Sequence, residues 1–296
     1  MRIGTHGRSL AAVNIPSVQR IHDEMRAIGM VPVVDRALAE QLKQAGLPLD
    51  ADTEVADNPA DSGIQAFFSL GGDGTFLDSV AKVGKSGIPV LGINLGRLGF
   101  LSSTRVEGAA AALAAVKEGR FSVEERGLLT LEGEGIPGTG PYFALNEVSL
   151  HKRDSSSMLA VHVHIGDRFL NTYWSDGLII ATPTGSTAYS LSCGGPLLDP
   201  TCDALVITPI APHNLNVRPF VLPGNSLVHL RADTREDKYL VNLDSRSLVM
   251  DRPAAVRVRR ADHRVRFIHL PGNDFFNTLR DKLAWGLDAR TDKPDR

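Results

Sequence analysis

Cysteine is scarce in this sequence. Cys193 and Cys202 are its only two, they make no CxxC pair, and no pair of histidines is spaced to complete a zinc site with them. That excludes a disulfide framework and a structural zinc module, and it fits free thiols in a reducing compartment. Net charge is also small. The 32 basic and 34 acidic side chains give −2 at pH 7, whereas a nucleic-acid binder carries a marked basic excess on one face. No apolar run approaches the roughly 18 residues that cross a bilayer, and Met1-Arg2-Ile3-Gly4-Thr5-His6-Gly7 lacks the apolar core of a signal peptide. The expectation is a soluble cytoplasmic protein with no nucleic-acid or membrane partner.

What is present is ordinary globular material: 296 residues, 43% hydrophobic and 22% charged. That length suits one large or two moderate domains. Up to about residue 125, short apolar runs alternate with helical periodicity. Ile3–His6, Val31–Val34, Gln65–Leu70 and Ile88–Ile93 read as strands, and Ser17–Ile28, Ala37–Gln44, Asp73–Val83 and Val106–Glu118 as helices, with a polar connection over Asp50–Ser62. This alternation implies an α/β domain with a mostly parallel sheet covered on both faces. Beyond it the character changes to many short strand-like runs with Gly and Pro punctuation, which indicates an all-β sandwich. They are Leu128–Leu131, Tyr142–Leu150, Leu159–Ile165, Arg168–Thr172, Leu178–Ala181, Ala204–Thr208, Leu227–Leu230, Tyr239–Leu243 and Ala255–Val258, with Gly166-Asp167 as a hairpin turn. The expected division is 1–125, 126–262 and a C-terminal segment 263–296 returning to the first domain, with a helix over Phe275–Trp285 and a disordered charged tail.

The sharpest local feature is Gly71-Gly72-Asp73-Gly74-Thr75, between a buried strand and a helix. Glycines there let the backbone come close to a ligand, and the N–H groups of Gly71, Gly72 and Gly74 at the helix start suit phosphate. A carboxylate would repel an anion, so Asp73 fits a proton acceptor or a metal ligand, with helix capping as the alternative. Two better-known phosphate loops are excluded. Gly84-Lys85-Ser86 lacks the earlier glycine of a P-loop, position 79 being Ser, and Gly72 and Gly74 are followed by Leu77 where a dinucleotide fingerprint needs a third glycine. A second cluster runs from Asp176-Gly177 through a buried strand to Thr182-Pro183-Thr184-Gly185-Ser186-Thr187-Ala188-Tyr189-Ser190. Its hydroxyls can bond a sugar or amide and Tyr189 can stack; a tight crossover with Ser/Thr turn chemistry is the alternative. A third is Asn146-Glu147, adjacent polar residues that break strand alternation. They could grip a cis-diol or an adenine edge, or mark a bulge or edge strand. His162 and His164 share one strand face without a third ligand nearby and read as a polar sheet face.

Taken in order and spacing, these motifs resemble the NAD kinase family. Leu91-Gly92-Ile93-Asn94-Leu95-Gly96, Gly194-Gly195-Pro196, Ile207-Thr208-Pro209-Ile210-Ala211-Pro212-His213 and Phe276-Asn277-Thr278-Leu279 extend the match over most of the chain from about residue 65. Lipid kinases share the first motif and phosphofructokinases carry a relative of it; the Thr182–Ser190 stretch is far more specific.

The resemblance implies a phosphofructokinase-like, Rossmann-like α/β domain followed by a β-sandwich. It implies transfer of the γ-phosphoryl of ATP to the 2′-hydroxyl of NAD's adenosine ribose, with Mg²⁺, in a homodimer or homotetramer. On the matching positions, Asp73 takes the place of the general base and Gly74 lies against the NAD, within the loop that also holds Gly71, Gly72 and Thr75. Asn146 and Glu147 hold the adenosine ribose hydroxyls, and Asp176 recognises polar groups on the nicotinamide or adenine side. Thr187, Ala188, Tyr189 and Ser192 wrap the dinucleotide beside a neighbouring subunit, and Ala211 marks close backbone approach. Trp174 stands where some relatives restricted to oxidised NAD carry a basic residue, and Arg246 replaces a common Gln. A lipid kinase and a non-catalytic dinucleotide sensor are the rival functions.

Overall fold

In the computed structural model, residues 1–296 are described except 48, 154–157, 235–237, 252–254, 273 and 286–296, so the charged tail lies outside the described residues. The chain divides into two compact units, residues 1–125 with 265–296, and residues 126–264.

The first unit is built on strands β1 (Arg2–His6), β2 (Val31–Asp35), β3 (Glu54–Ala56), β4 (Ala66–Leu70), β5 (Val90–Asn94) and β6 (Thr104–Arg105). They lie in the order β6-β5-β4-β1-β2-β3, every pairing parallel. β4 and β5 are buried at every residue, as expected for central parallel strands covered on both faces. Helices α1 (Ile15–Ala27), α2 (Arg36–Gln44), α3 (Asp73–Val83) and α4 (Ala109–Lys117) make the crossovers. Val18, Ile21 and Met25 of α1 recur at helical spacing and are fully buried against Val34, Phe68 and Leu113 in one core. Burying a Val or Ile side chain is worth about 1.5–3 kcal/mol, so this stripe alone holds α1 in place. Helix Phe275–Leu283 completes the unit, with Asp274 capping it through the Asn277 N–H at 2.8 Å.

The second unit is two antiparallel sheets over one core. One contains β7 (Ser122–Gly133), β8 (Phe143–Ala144), β10 (Leu159–Ile165), β11 (Arg168–Ser175), β15 (Val228–Asp233) and the part of β18 (Ala255–His269) that reaches Arg264. The other runs β14 (Phe220–Pro223), β13 (Ala204–Ile210), β12 (Gly177–Ala181), β9 (Glu147–Lys152), β16 (Lys238–Leu243), β17 (Arg246–Asp251). Alternate residues such as Val161 and Val163 from one sheet and Val148, Leu150, Leu178 and Ile180 from the other meet in that core, the arrangement of a sandwich.

The α/β-then-β architecture expected from the sequence is the one observed. The differences are local. The polar Asp50–Ser62 connection contains β3, three residues paired to β2. The single run expected over Tyr142–Leu150 is interrupted, β8 ending at Ala144 and β9 starting at Glu147. β14 and β17 are edge strands with exposed alternate residues, so their hydrophobic signal is diluted.

Candidate active site

In the first unit, β4 ends at Leu70 and the chain turns through Gly71-Gly72 into α3. A Cβ on Gly71 would stand 2.3 Å from Thr75 Oγ1, so only glycine allows the turn to close on the helix it feeds. Gly72 and Gly74 face open space within 4 Å, leaving their amides approachable. Gly72 is the N-cap and supplies no side chain. Asp73 does not cap its own helix. Its Oδ2 accepts the Phe100 N–H at 2.9 Å, and its Oδ1 accepts those of Leu101 and Ser102 at 3.0 Å each. The loop that presents these amides is shaped at its start by Asn94, whose side-chain oxygen accepts the Gly96 N–H at 2.7 Å. Gly99 must be glycine, since a Cβ there would lie 1.9 Å from Asp73 Oδ1. An ionised carboxylate offers about four acceptor positions, so three bonds leave one open for a hydroxyl proton.

In the second unit, Asn146 and Glu147 sit at the interruption between β8 and β9. The amides of Leu145, Asn146 and Glu147 donate at 2.8, 2.8 and 3.2 Å to the carboxylate of Asp244, almost a hundred residues later. Asp244 heads the β16–β17 hairpin with φ +53°, a conformation that Asp tolerates better than most side chains. Three consecutive amides turned to one carboxylate pull the backbone out of strand geometry, which is why two adjacent polar residues can serve one site. Both are buried, and Asn146 Oδ1 and Glu147 Oε2 have no hydrogen-bond partner. Buried polar atoms left unpaired cost about 1–3 kcal/mol each, and a pair of them side by side marks a place built for a ligand.

Burial, reinforced by the nearby Asp244 carboxylate, pushes the Glu147 carboxyl up to about 8, although the Tyr189 N–H donates to it. Burial also raises Asp244, against the pull of its three amides. Near neutral pH Glu147 is therefore a neutral acid, able both to donate to and to accept from a sugar hydroxyl.

The Thr182–Ser190 segment packs against this pair. Thr182 donates its hydroxyl to the Leu145 carbonyl at 2.6 Å and its N–H to the Asn146 carbonyl at 2.8 Å. A Cβ on Gly185 would stand 2.0 Å from the Asn146 carbonyl oxygen. Gly185→Ala is therefore expected to displace Asn146 and to cost about 1–3 kcal/mol by overpacking. A urea-melt midpoint unchanged from wild type would contradict this. Thr187 and Ala188 lie partly exposed on the same turn, with Thr187 Oγ1 donating to the Thr184 carbonyl at 3.1 Å. The Tyr189 ring stacks on His151 at 5.8 Å and Ser192 is exposed. Asp176 pairs with Lys152 at 2.6 Å, and Ala211 holds φ +45° just after β13.

Trp174 and Arg246 have surroundings of their own, with Arg246 close enough to Asp244 to draw its carboxyl down. Trp174 is 52% exposed on β11. The Arg246 guanidinium is committed to the carbonyls of Pro141 and Phe143 and lies 5.5 Å over the Phe143 ring. Sequence reasoning missed Asp244, which reads as an ordinary hairpin residue, and the Gly99–Ser102 loop. The one available signal was a glycine at each end of Gly96-Arg97-Leu98-Gly99.

Comparison with known proteins bears on the same segments. The ATP-NAD kinase N-terminal domain profile matches residues 15–121 and the ATP-NAD kinase C-terminal domain profile matches residues 145–270. The chain is 39% identical to an NAD kinase of Cytophaga hutchinsonii, over 98% of this chain and 100% of that one. It is 40% identical to an NAD kinase of Flavobacterium johnsoniae over the same shares. Among solved structures it resembles a yeast NADH kinase complexed with NADH, with a TM-score of 0.86 over 99% of this chain and 90% of that one at 23% identity. It also resembles an NAD kinase from Archaeoglobus fulgidus in complex with ATP, with a TM-score of 0.74 over 96% of this chain and 99% of that one, again at 23% identity. At that identity the solved structures speak to the fold.

Proposed function

The chain belongs to the ATP-NAD kinase family, and from that premise we infer that it transfers the γ-phosphoryl of ATP to the 2′-hydroxyl of NAD's adenosine ribose, giving NADP. The observation that carries the assignment is the pair of buried, unpartnered acceptors on Asn146 and Glu147. Their spacing along the chain and mixed donor–acceptor character suit the two hydroxyls of a ribose. A lipid kinase would want an apolar acyl pocket, against which the hydroxyl-rich Thr182–Ser190 segment argues, and a sensor would need Asp73 only to hold the Phe100–Ser102 amides, with no use for its open acceptor position.

In this reading the 2′-oxygen attacks the γ-phosphorus as the bond to the bridging β-γ oxygen breaks. ADP leaves with that electron pair, and Asp73 takes the hydroxyl proton at its remaining open acceptor position. Such a transition state is loose, so positioning and charge neutralisation dominate. The Gly71 N–H, expected from the sequence to face phosphate, is spent on the Ile93 carbonyl at 2.9 Å, so the amides of Gly72 and Gly74 and the start of α3 supply the partial positive charge for phosphate oxygens. Among the described residues no group of three or more His, Cys, Asp or Glu side chains is arranged as a metal cage. Mg²⁺ accompanying ATP would thus be held mainly by phosphates and water, its usual habit. Thr75, buried under Gly71, keeps the loop in shape. Thr187, Ala188, Tyr189, Ser192, Asp176 and Ala211 would line the dinucleotide, with Trp174 and Arg246 at its margins. Trp174 and Phe169, 52% and 60% exposed on the edge strand β11, favour a homodimer or homotetramer. Free Cys193 and Cys202 suit the cytoplasm, and no helix among the described residues is long and apolar enough to cross a membrane.

The test is NADP formation by purified protein from NAD, ATP and Mg²⁺, read with an NADP-specific dehydrogenase. Product is expected; none, with NAD still bound, would favour the sensor.

Glu147 adds a pH signature. Its native carboxyl titrates near 8 against an ordinary 4.5, so the folded protein holds a proton that the unfolded chain releases between those values. Stability from this group is complete below about pH 4.5 and is lost as pH rises through 8. Glu147→Gln, which mimics the neutral acid, is expected to flatten that decline by at least about 1 kcal/mol between pH 5 and 8.5. Parallel urea-melt profiles for wild type and variant would refute it.

A further inference from the structure

Helix α4 and its flanks border a cavity of about 670 Å³ that lies wholly within the first unit and that the proposed chemistry does not use. That volume suits a small molecule. One end is built for an anion. The three-residue turn Val106–Gly108 runs straight into α4 and already uses the Ala109 N–H on the Val106 carbonyl, so side chains supply the anion contacts here. The Arg105 guanidinium is exposed and has no hydrogen bond or ion pair among the described residues. Thr104, also in the wall, is 6% exposed, and its buried Oγ1 has no partner, an arrangement that a hydrogen-bonding ligand would relieve.

The floor has a different character. Ala111 is exposed and is backed by the nearly buried Ala112 and Ala115 along one side of α4, an apolar wall against which a planar ring can rest. From helix Phe275–Leu283, Asp274 is spent on its cap, while Asp281 supplies a carboxylate suited to an exocyclic amine. The wall also includes Leu98 and Ser103, the residues on either side of the Gly99–Ser102 loop whose amides hold Asp73. Phe100 in that loop lies 6.5 Å from the Phe275 ring.

We propose that this cavity is an effector site for a mononucleotide, a planar aminated base carrying one phosphate ester, and that occupancy is felt by the loop that holds Asp73. The phosphate would sit between Thr104 and Arg105, where the guanidinium gives a charge-assisted bond, and the base on the alanine floor. An effect on turnover rests on the kinase reading; binding and the loop's response do not.

Adenosine monophosphate is the probe, titrated calorimetrically into the full chain with and without a non-hydrolysable ATP analogue. Saturable binding that the analogue does not displace is expected, with Arg105→Glu and Ala111→Leu each weakening it by about tenfold or more. Inorganic phosphate alone should bind at least about tenfold more weakly, because it leaves the floor uncovered. In the wild type, amide exchange at Phe100, Leu101 and Ser102 should slow on binding. Displacement by the ATP analogue, no binding, equal binding in both variants, or unchanged exchange at those amides would each overturn the proposal. The NADP assay, run separately, shows whether the kinase reading itself has failed.

Discussion

Asp73→Asn is expected to lower turnover by about 10²- to 10⁴-fold, the usual worth of a general base, while NAD affinity stays near that of wild type. Two effects converge on this one atom pair. The amide cannot accept the 2′-hydroxyl proton. It also places an NH₂ where a carboxylate oxygen now accepts a backbone N–H, setting donor against donor at Phe100 or at Leu101 and Ser102. Gly99→Ala separates the two effects. It keeps the carboxylate as a group but, since a Cβ at residue 99 would stand 1.9 Å from Asp73 Oδ1, forces the carboxylate and the loop apart. If proton transfer dominates, Asp73→Asn is far the more damaging. If holding the loop dominates, both variants lose comparable activity. Single-turnover rates for the two, alongside NAD binding, decide it; near-normal turnover in Asp73→Asn would remove Asp73 from the chemistry.

The second large effect is expected at Asp244, which is argued to act through Asn146 and Glu147. Removing its carboxylate in Asp244→Ala strands three buried amides. At about 1–3 kcal/mol for each unpaired group, partly offset by water entering the gap, a loss of about 3–5 kcal/mol follows. The Michaelis constant for NAD should rise by about tenfold or more as the ribose-gripping pair loses its backbone support. A merely structural role would not move one further readout. Because Asp244 also repels the Glu147 carboxylate, Asp244→Ala should shift Glu147's titration downward, moving the pH dependence of stability toward acid. Asp244→Asn keeps one acceptor oxygen and should fall between wild type and alanine in stability. A KM for NAD within error of wild type would sink the positioning role.

Much of this protein is readable without its structure, for identifiable reasons. Parallel strands covered on both faces must be apolar throughout, so Ala66–Leu70 and Val90–Asn94 announce themselves. Helix α1 is equally plain, because Val18, Ile21 and Met25 repeat at the spacing of a helix face. Edge strands carry weaker marks: Phe220–Pro223 and Arg246–Asp251 are half solvated, and the three residues of Glu54–Ala56 are too few to show a period. The same contrast holds at the site. Gly71 to Thr75 is conspicuous because a tight strand–helix turn that closes on its own helix constrains consecutive residues. Asn146-Glu147 is conspicuous because adjacent polar residues defy alternation.

The sequence by itself determined the order of the elements, the change from α/β to β, the family, and the motifs that nominate a site, all of which depend on neighbours within about a dozen positions. Only the tertiary structure decided what holds those residues. Asp73 is gripped from a loop 27–29 residues away and the Asn146–Glu147 turn by a carboxylate 97–99 residues away. A hydrogen bond across such separations is set by how sheets stack and hairpins register, and neither Gly99 nor Asp244 carries a local pattern that would reveal it. The same holds for ionisation: Glu147 is an ordinary glutamate along the chain and becomes a neutral acid only once folding removes water and brings Asp244 beside it.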